Sequence, residues 1–398
     1  MVPIAVWSGK LIRIAFTLIG GKNWTGGYNY LLNLVQALSQ HAPDAVMCVM
    51  FFGIDISESD VAPFEDMRNV SIVRSPIFDV GQAGQRLRRA ILTGCDQAAL
   101  DAFREHNIDV VFETAQFYGW RFPIPVLAWI TDFQHRHMRH LFGFKAYWKR
   151  EIGFRAQVLS SRHIMLSSKD ARQDCERFYP HSRSRTHVVS FAVPGSGVDD
   201  DVGARSIADN YDLPEKFFFL PNQFWKHKNH ECVVLALQIL KKRGREIVVA
   251  ATGKQTDPRN PGHFERLQHL ISTHGLERNF RVLGLIPHQH ISALMRSCTA
   301  LINPSTFEGW STTVEEAKAA GTPMILSSLA VHREQRDDAL FFDATSPEQL
   351  ANILEAYTPI CREERLTLSA VAQKQASLRL AVFVAEFVGL IRLVVNRR

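Results

Sequence analysis

The sequence has few cysteines, and it has no long apolar run. Its six cysteines stand far apart and form no CxxC pair, which argues against a disulfide framework and favours a reducing, cytoplasmic setting. No stretch of about 20 residues, the length that spans a bilayer, is both uncharged and continuously apolar, so no ordinary transmembrane helix is predicted. Lys10 and Arg13 interrupt the apolar amino-terminal stretch, which indicates a first strand rather than a signal peptide.

The bulk composition is that of a folded protein with a basic surface. The chain has 398 residues, of which 46% are hydrophobic and 22% charged, so two domains are expected. A net charge of +6 and a pI of about 9.0 fit a phosphate-bearing ligand, an anionic membrane surface or nucleic acid. Nucleic acid ranks last, because the sequence has neither an aromatic-basic RNA signature nor zinc-finger spacing.

Apolar segments rich in β-branched residues alternate with helical patterns twice along the chain. This alternation predicts parallel sheets covered by helices on both faces. The expected fold class is therefore α/β, with two doubly wound Rossmann-like domains facing each other across a deep cleft. The helices are predicted at 27–40, 84–106, 144–161, 229–243, 263–274, 288–297 and 312–320.

The predicted boundary is a stretch rich in Gly, Asp and Ser. We place an amino-terminal acceptor domain at 1–195, a linker at 196–212, a donor domain at 213–378 and a closing helix at 379–398. The closing helix is expected to pack back towards the amino-terminal domain. The linker contains a D-x-D pair, Asp199 and Asp201, which we interpret as solvated acids rather than a metal site.

Three glutamates lie close together in the segment FEGWSTTVEEAKAAGTP, residues 307–323. Thr312-x-x-Glu315 predicts a capping box at a helix start, which gives Glu315 a structural role. Glu316 lies about 100° further around the helix, and Glu308 precedes it. Backbone N–H groups at such a helix start attract anions. The segment therefore predicts a phosphate site flanked by two carboxylates, as a nucleotide sugar requires.

This segment resembles the E-x7-E signature of retaining glycosyltransferase family 4, which has the GT-B fold, with Glu308 and Glu316 at the two glutamates. The resemblance covers most of the chain. It includes a glycine loop and first helix at 20–38, a strand-loop-helix at 218–237, and the stretch at 280–305 that leads into the signature.

The resemblance implies a role for each residue of the signature. Glu308 is expected to face the transferred sugar near its anomeric carbon, and Glu316 is expected to bind the ribose hydroxyls. The diphosphate is expected on the backbone N–H groups of Gly309, Trp310, Ser311 and Thr312. Further donor contacts are implied at Gly253, Leu285 and Ile286.

The loop that carries the donor-phosphate cations departs from the family pattern. The family commonly has G-R-x4-K there, but Asn222 and Gln223 occupy the Gly-Arg places, and Lys228 falls on the lysine. Fixed cations at this point stabilise the departing diphosphate. We expect Lys226 to supply the missing charge, with help from His227 as the alternative. Asn222, Gln223, Lys226 and Lys228 are all predicted donor contacts.

Two features of the amino-terminal half are expected to contribute. Gly26 and Gly27 open a helix, and their bare N–H groups are expected to face the diphosphate. Family members carry a His-Asp pair after a later strand; here Asp132 follows a threonine, and His135 comes three residues later. Asp132 and His135 are therefore predicted to act with Glu308 and Lys228 in catalysis.

Residues 136–155 contain six Lys or Arg and one acid, interleaved with aromatic residues. This pattern is typical of a surface that meets anionic headgroups. An ordinary amphipathic helix with a basic outer face explains it equally well, so both interpretations stay open.

The sequence thus predicts a retaining, metal-independent hexosyltransferase that uses a UDP- or GDP-linked sugar and requires no cofactor. The expected acceptor is a growing bacterial surface polysaccharide or a lipid-linked glycan, and the expected location is cytoplasmic, with peripheral membrane attachment open. Nucleic acid is not expected as a partner. The alternatives are a nucleotide-sugar epimerase on the same fold and a non-catalytic partner that binds nucleotide sugars.

Overall fold

The computed structural model describes residues 10–17, 25–114, 116–195 and 201–396. Residues 20–24 of the predicted glycine loop and Asp199 of the D-x-D pair lie outside these residues. The contacts divide the chain into two compact units. Unit 1 comprises residues 1–135, 144–191 and 378–398, and unit 2 comprises residues 136–143 and 192–377.

Unit 1 is built on a parallel sheet of seven strands in the order β3-β2-β1-β4-β5-β6-β7. Its strands are apolar and mostly buried because helices cover both faces of such a sheet. The strands are β1 (Ile12–Thr17), β2 (Val46–Phe52), β3 (Val70–Arg74), β4 (Val110–Thr114), β5 (Val126–Trp129), β6 (His163–Leu166) and β7 (Thr186–Val188).

The helices of the amino-terminal half alternate with these strands. They are α1 (Thr25–His41), α2 (Glu58–Val61), α3 (Ala83–Thr93), α4 (Gln97–Glu105), α5 (Gln134–His137), α6 (Phe144–Leu159) and α7 (Lys169–Phe178).

Unit 2 repeats the architecture with six parallel strands in the order β10-β9-β8-β11-β12-β13. The chain reverses its direction of winding between β8 and β11, which makes this pair the topological switch point of the sheet. The strands are β8 (Phe218–Leu220), β9 (Val249–Thr252), β10 (Phe280–Gly284), β11 (Leu301–Asn303), β12 (Met324–Ser327) and β13 (Leu340–Phe342).

The remaining helices complete the described chain. They are α8 (Asp201–Asn210), α9 (His230–Lys242), α10 (His263–Thr273), α11 (His288–Ser297), α12 (Thr312–Ala320), α13 (Ala330–Gln335), α14 (Pro347–Ala356) and α15 (Arg362–Asn396). Two parallel Rossmann-like sheets confirm the predicted fold class. Within the part of the chain that the structure describes, no helix is long and apolar enough to cross a membrane.

Three segments differ from the prediction. The single helix expected at 84–106 is broken after α3, where Gly94 adopts φ +80 and Asp96 caps α4 by accepting from the Ala99 N–H. Part of the expected linker folds as α8, because Ala204 and Ala208 share a buried face. The closing helix begins at Arg362, far earlier than predicted, and only its residues from 378 onward pack in unit 1.

Candidate active site

An ion pair lies at the switch point of the unit 2 sheet. Lys228, in the loop after β8, donates from Nζ to Oε1 of Glu308, in the loop after β11, at 2.6 Å. The side chains are only 13% and 8% exposed, respectively. Two predicted site residues, 80 positions apart in the sequence, are therefore joined in the structure. Parallel sheets commonly bind ligands at the carboxyl ends of strands at such a point.

A buried polar network holds this end of the sheet together. Asn222 donates from Nδ2 to Oδ1 of Asn303 at 3.1 Å, and the Thr313 hydroxyl donates to Asn222 Oδ1 at 3.2 Å. The Ser305 hydroxyl lies 2.7 Å from Asn303 Oδ1 and 2.8 Å from Glu308 Oε1. Asn222 is therefore a structural link between β8, β11 and α12, and its amide is engaged within the protein.

Gln223 and Lys226 are engaged away from the Lys228–Glu308 pair. Gln223 Oε1 accepts from the Lys254 N–H at 2.6 Å, so its side chain fixes the loop after β9. Lys226 pairs with Glu231 at 3.0 Å, and both side chains are about half exposed. This geometry does not support our expectation that Lys226 supplies the charge of the missing arginine.

Gly253, a predicted donor contact, occupies a position that requires glycine for a structural reason. Gly253 has φ +152, and a Cβ there would lie 2.5 Å from the Asn222 carbonyl oxygen and 2.8 Å from Gln223 Cα. Only glycine allows the loop after β9 to approach the loop after β8 this closely. Gly253 therefore brings the two loops together, whatever it contributes to a ligand.

The three glutamates of residues 307–323 have different partners. The helix begins at Thr312 as predicted, but its N-cap is Ser311 rather than Thr312, and the Ser311 side chain makes no capping hydrogen bond. The predicted capping box from Thr312 is therefore wrong. The side chain of Gln335 takes part of that role, because it accepts from the Ser311 N–H at 3.1 Å and donates to the buried Glu315 carboxylate at 3.1 Å.

This arrangement also bears on the predicted diphosphate contacts. The Ser311 N–H, one of the four groups expected to bind the diphosphate, already donates to Gln335. Gly309 and Trp310 also have partners within the protein, and Thr312 is exposed at the start of α12. Their contacts with a ligand stay a prediction.

Glu316 points to a different neighbour. Its Oε1 lies 3.5 Å from Nε2 of His288 at the start of α11, and the hydrogen bond to Glu316 raises the pKa of His288. Leu285, whose side chain is 73% exposed, and the half-buried Ile286 immediately precede α11. The predicted ribose contact and the predicted base contacts thus belong to one region at the carboxyl end of β10.

Two histidines lie near the ion pair; His227 was the alternative source of the missing charge, and His332 was missed by the sequence analysis. His227 is buried, and burial, reinforced by the nearby Lys228 and Arg259, lowers its pKa to about 2. Its carbonyl accepts from the Thr306 N–H at 2.8 Å, which ties the loop after β8 to the loop after β11. His332 on α13 is buried, and burial lowers its pKa, while Glu308 acts in the opposite direction.

The amino-terminal candidates lie in α1 and around α5. The first helix begins at Thr25, so Gly26 and Gly27 belong to its first turn, with Gly26 exposed. Asp132 accepts from the Gln134 N–H at 2.9 Å and lies 3.4 Å from Arg150. The part that these residues play with a ligand stays a prediction.

His135, which we expected to act in catalysis, is buried within unit 1. Its side chain has no exposed surface, and Nε2 lies 3.2 Å from Oε2 of the buried Glu151. The same carboxylate oxygen accepts from the Tyr179 hydroxyl at 3.2 Å. Desolvation lowers the pKa of His135, although Glu151 opposes the shift. In this position His135 is a core residue of unit 1.

The described residues contain no group of three or more His, Cys, Asp or Glu side chains placed to hold a metal ion.

Residues 206–359, which include both members of the ion pair and all of α12, match the family model described as "Glycosyl transferases group 1". This stretch is therefore similar to a glycosyltransferase group 1 domain, and it is called the group 1 domain below. It contains the donor-side residues predicted from the sequence except Gly26 and Gly27.

The group 1 domain has relatives of known name. A curated relative, the putative glycosyltransferase EpsF of Bacillus subtilis (strain 168), is 28% identical over 202 residues, which cover 45% of this chain and 48% of EpsF. The match therefore spans about half of the relative's length.

Solved structures share the fold over nearly the whole chain. A glycosyltransferase from Rickettsia africae superimposes with a TM-score of 0.68 at 12% identity and covers 98% of this chain and 100% of its own. Anabaena HepE, solved with UDP and glucose, gives a TM-score of 0.68 at 16% identity and covers 96% and 100% of the two chains. These likenesses show the fold.

Proposed function

We propose that the protein is a retaining glycosyltransferase that moves a sugar from a nucleotide donor to an acceptor hydroxyl. The observation that carries the proposal is the buried Lys228–Glu308 pair at the switch point, inside the group 1 domain. A cation and a carboxylate held together there offer one group to a diphosphate and one to the sugar attached to it. HepE, which has the same fold, was solved with UDP and glucose, and this is consistent with a UDP-linked donor.

Each residue of the pair has a distinct proposed role. Lys228 binds the diphosphate and stabilises the negative charge that develops as the nucleotide leaves. Glu308 faces the anomeric carbon, where its negative charge stabilises the positive charge of the transition state. The Ser305 hydroxyl, 2.8 Å from Glu308 Oε1, keeps the carboxylate oriented. Cations and helix N–H groups meet the phosphate charge, so we propose a reaction that requires no metal.

The nucleoside is proposed to bind at the carboxyl end of β10. Glu316 accepts hydrogen bonds from the ribose hydroxyls, and Leu285 offers apolar surface to the base. The exposed side chain of Leu285 supports this assignment, because an apolar group in contact with water gains most when a base covers it. His288, which pairs with Glu316, keeps that carboxylate pointed towards this end of the sheet.

The acceptor is proposed to be a lipid-linked or surface glycan, reached at a membrane. On α6, Phe144, Trp148 and Ile152 follow one another at four-residue spacing and are 71%, 42% and 56% exposed. Lys145 and Lys149 are exposed beside them. This is the pattern of an interfacial helix, in which apolar groups enter the headgroup region and cations meet anionic lipid.

Turnover of a labelled donor tests the proposed activity. The full chain is incubated with UDP- and GDP-linked hexoses, with and without a glycan acceptor, in the presence of EDTA. A transferase forms a glycoside only when acceptor is present, and NMR shows whether the anomeric configuration is retained. An epimerase converts the donor without acceptor, and a non-catalytic partner binds the donor without converting it. Either of these last outcomes would replace the proposal.

Vesicle binding tests the proposed location. Full-length protein should co-sediment with vesicles that contain anionic lipid and not with neutral ones, and binding should weaken with salt because each Lys or Arg contributes about 1 kcal/mol. Trp148→Ala should reduce binding. Trp120→Ala, which removes a 51% exposed tryptophan elsewhere in unit 1, is the control. Equal binding by wild type and Trp148→Ala would contradict the assignment of α6.

A further inference from the structure

Binding a nucleoside diphosphate at the candidate site would require more positive charge than Lys228 alone provides. A nucleoside diphosphate carries several negative charges as it leaves, and one lysine neutralises only part of them. The two residues at the family's Gly-Arg places, Asn222 and Gln223, are engaged in protein hydrogen bonds. Lys226 is paired with Glu231. A further cation near Lys228 would therefore have to come from another loop.

Arg259 lies in such a loop, between β9 and α10. Its guanidinium lies 5.3 Å from the centre of the Trp225 ring and 5.6 Å from that of Phe142, and all three residues belong to unit 2. Two aromatic contacts at this distance restrict the guanidinium and attract its charge. Arg259 is thus positioned by rings rather than left as a mobile surface side chain.

A contact with His227 places this arginine beside the ion pair. Arg259 Nη2 lies 3.4 Å from His227 Nδ1, and His227 precedes Lys228 in the chain. The His227 carbonyl accepts from the Thr306 N–H, two residues before Glu308. The loops after β8, β9 and β11, three neighbouring strands, therefore meet around this neutral imidazole, with a cation on the loop of each of the first two.

Asp257, an acidic residue beside Arg259, also binds backbone groups of the same loops. Asp257 accepts from the Lys226 N–H at 3.1 Å and from the Arg259 N–H at 3.0 Å, and it lies 3.7 Å from the guanidinium at its nearest. Asp257 thus braces the loop through backbone N–H groups and meets the guanidinium only at the outer limit of an ion pair. The Arg259 side chain is 26% exposed, so an incoming anion has access to it.

We propose that Arg259 is a second cation of this site and contacts the diphosphate of the donor together with Lys228. The proposal rests on the proposed function. The chemistry favours arginine, because a planar guanidinium binds two phosphate oxygens at once and stacks on rings without losing its charge. The family pattern has an arginine where this chain has Gln223. Arg259, in the loop after the neighbouring strand β9, is proposed to supply that cation instead.

Calorimetry with inorganic pyrophosphate, UDP and GDP tests the proposal. Arg259→Gln should weaken binding of the wild type's best ligand by about 10- to 100-fold, as expected when a charged hydrogen bond is lost. The affinity of Arg259→Lys should lie between those of the wild type and Arg259→Gln, because lysine keeps the charge but cannot bind two phosphate oxygens as the planar guanidinium does. Arg278→Gln removes an equal charge from an exposed position of unit 2 and should bind like the wild type. Unchanged melting temperatures show that the variants are folded.

The outcomes separate this proposal from the proposed function. If Arg259→Gln and Arg259→Lys bind within twofold of the wild type while Lys228→Gln loses affinity, Arg259 is not a ligand of the diphosphate and the function stands. If Arg278→Gln weakens binding as much as Arg259→Gln, the effect is general electrostatics and the proposal fails. If the wild type binds none of the three ligands, both proposals fall.

Discussion

Neutralising one member of the Lys228–Glu308 pair should destabilise unit 2 far more than neutralising an exposed pair. The side chains are 13% and 8% exposed and their charged atoms are 2.6 Å apart, so each charge is stabilised mainly by the other. Removing one partner of a buried pair costs about 3–5 kcal/mol, because the remaining charge stays buried without compensation. After Lys228→Gln, Ser305 still donates to the carboxylate, so we expect the low end, about 3 kcal/mol.

This free energy corresponds to a measurable shift in melting temperature. For a domain of this size, 1 kcal/mol lowers the midpoint by about 2–4 °C, so Lys228→Gln should lower it by about 6–12 °C. Glu308→Gln should have an effect of at least that size, since the lysine ammonium then has no carboxylate. The double variant Lys228→Gln/Glu308→Gln should recover most of the loss, with a coupling energy of about 2 kcal/mol or more.

Scanning calorimetry of the full chain provides the assay, because it resolves two transitions if the units unfold separately. Lys226→Gln is the matched control: its partner Glu231 is 3.0 Å away, but the side chains are 46% and 47% exposed, so the cost should stay under about 1 kcal/mol. If the two single variants of the buried pair each cost less than that and their effects add, the pair carries no mutual stabilisation and the reasoning is wrong.

Three further predictions concern the surroundings of the site. Glu315→Ala should lower stability by about 1–3 kcal/mol in urea unfolding, because one N–H of the buried Gln335 amide loses its acceptor while the amide still donates to the Ser311 carbonyl; a change below about 0.5 kcal/mol, the size of an ordinary surface effect, would contradict the assigned contact. Gly253→Ala should destabilise by more than about 1 kcal/mol, whereas Gly153→Ala, which has open space within α6, should stabilise by about 0.5–1 kcal/mol; similar melting shifts would contradict this. Burial lowers the pKa of His230 to about 3. The contribution of its neutral form to the free energy of unfolding is therefore complete above the unfolded pKa of about 6.5 and is lost as pH falls towards 3. Calorimetry at pH 5 should show proton uptake on unfolding that falls by about one in His230→Phe, and an unchanged uptake would contradict this reasoning.

The sequence predicted the sheets well because strands buried on both faces leave a strong local signal. Runs such as AVMCVMFFG contain almost no polar residue, and a parallel strand between two helical layers is the simplest structure that buries them. The break at Gly94 was missed because α3 and α4 both continue an apolar helical pattern, and only the positive φ of that glycine separates them. Short helix α13 was missed for the opposite reason, since six residues are too few to show a period.

The candidate site was predictable only in part. Lys228 was predicted from the resemblance to the family pattern, and Glu308 from its place before a helix start and from the signature. Both lie in loops after strand ends, where parallel sheets bring loops together. The contacts of Gln335 and Arg259 could not be predicted from the sequence, because each joins segments separated by many residues. A polar residue in a loop also has no periodicity to indicate which way its side chain points. The capping box failed for a related reason: Gln335, 24 positions from Ser311, supplies the acceptor that the local pattern assigned to Glu315.

The three glutamates of residues 307–323 show why the residue type alone does not reveal which carboxylate takes part in a reaction. Glu315 is 2% exposed and accepts from an amide within its own domain, so moving it would leave two buried polar groups unsatisfied. Glu316 is 29% exposed beside His288, where water already solvates it. Glu308 is nearly as buried as Glu315, but its partner is a lysine, and a lysine can exchange one anion for another. On the proposed function, a diphosphate bound at Lys228 would replace the charge of Glu308 and leave that carboxylate without its cation in a site of low dielectric constant. Developing positive charge at an adjacent carbon would then compensate the carboxylate, so the ion pair that stabilises the fold would become a source of transition-state stabilisation once the donor is bound.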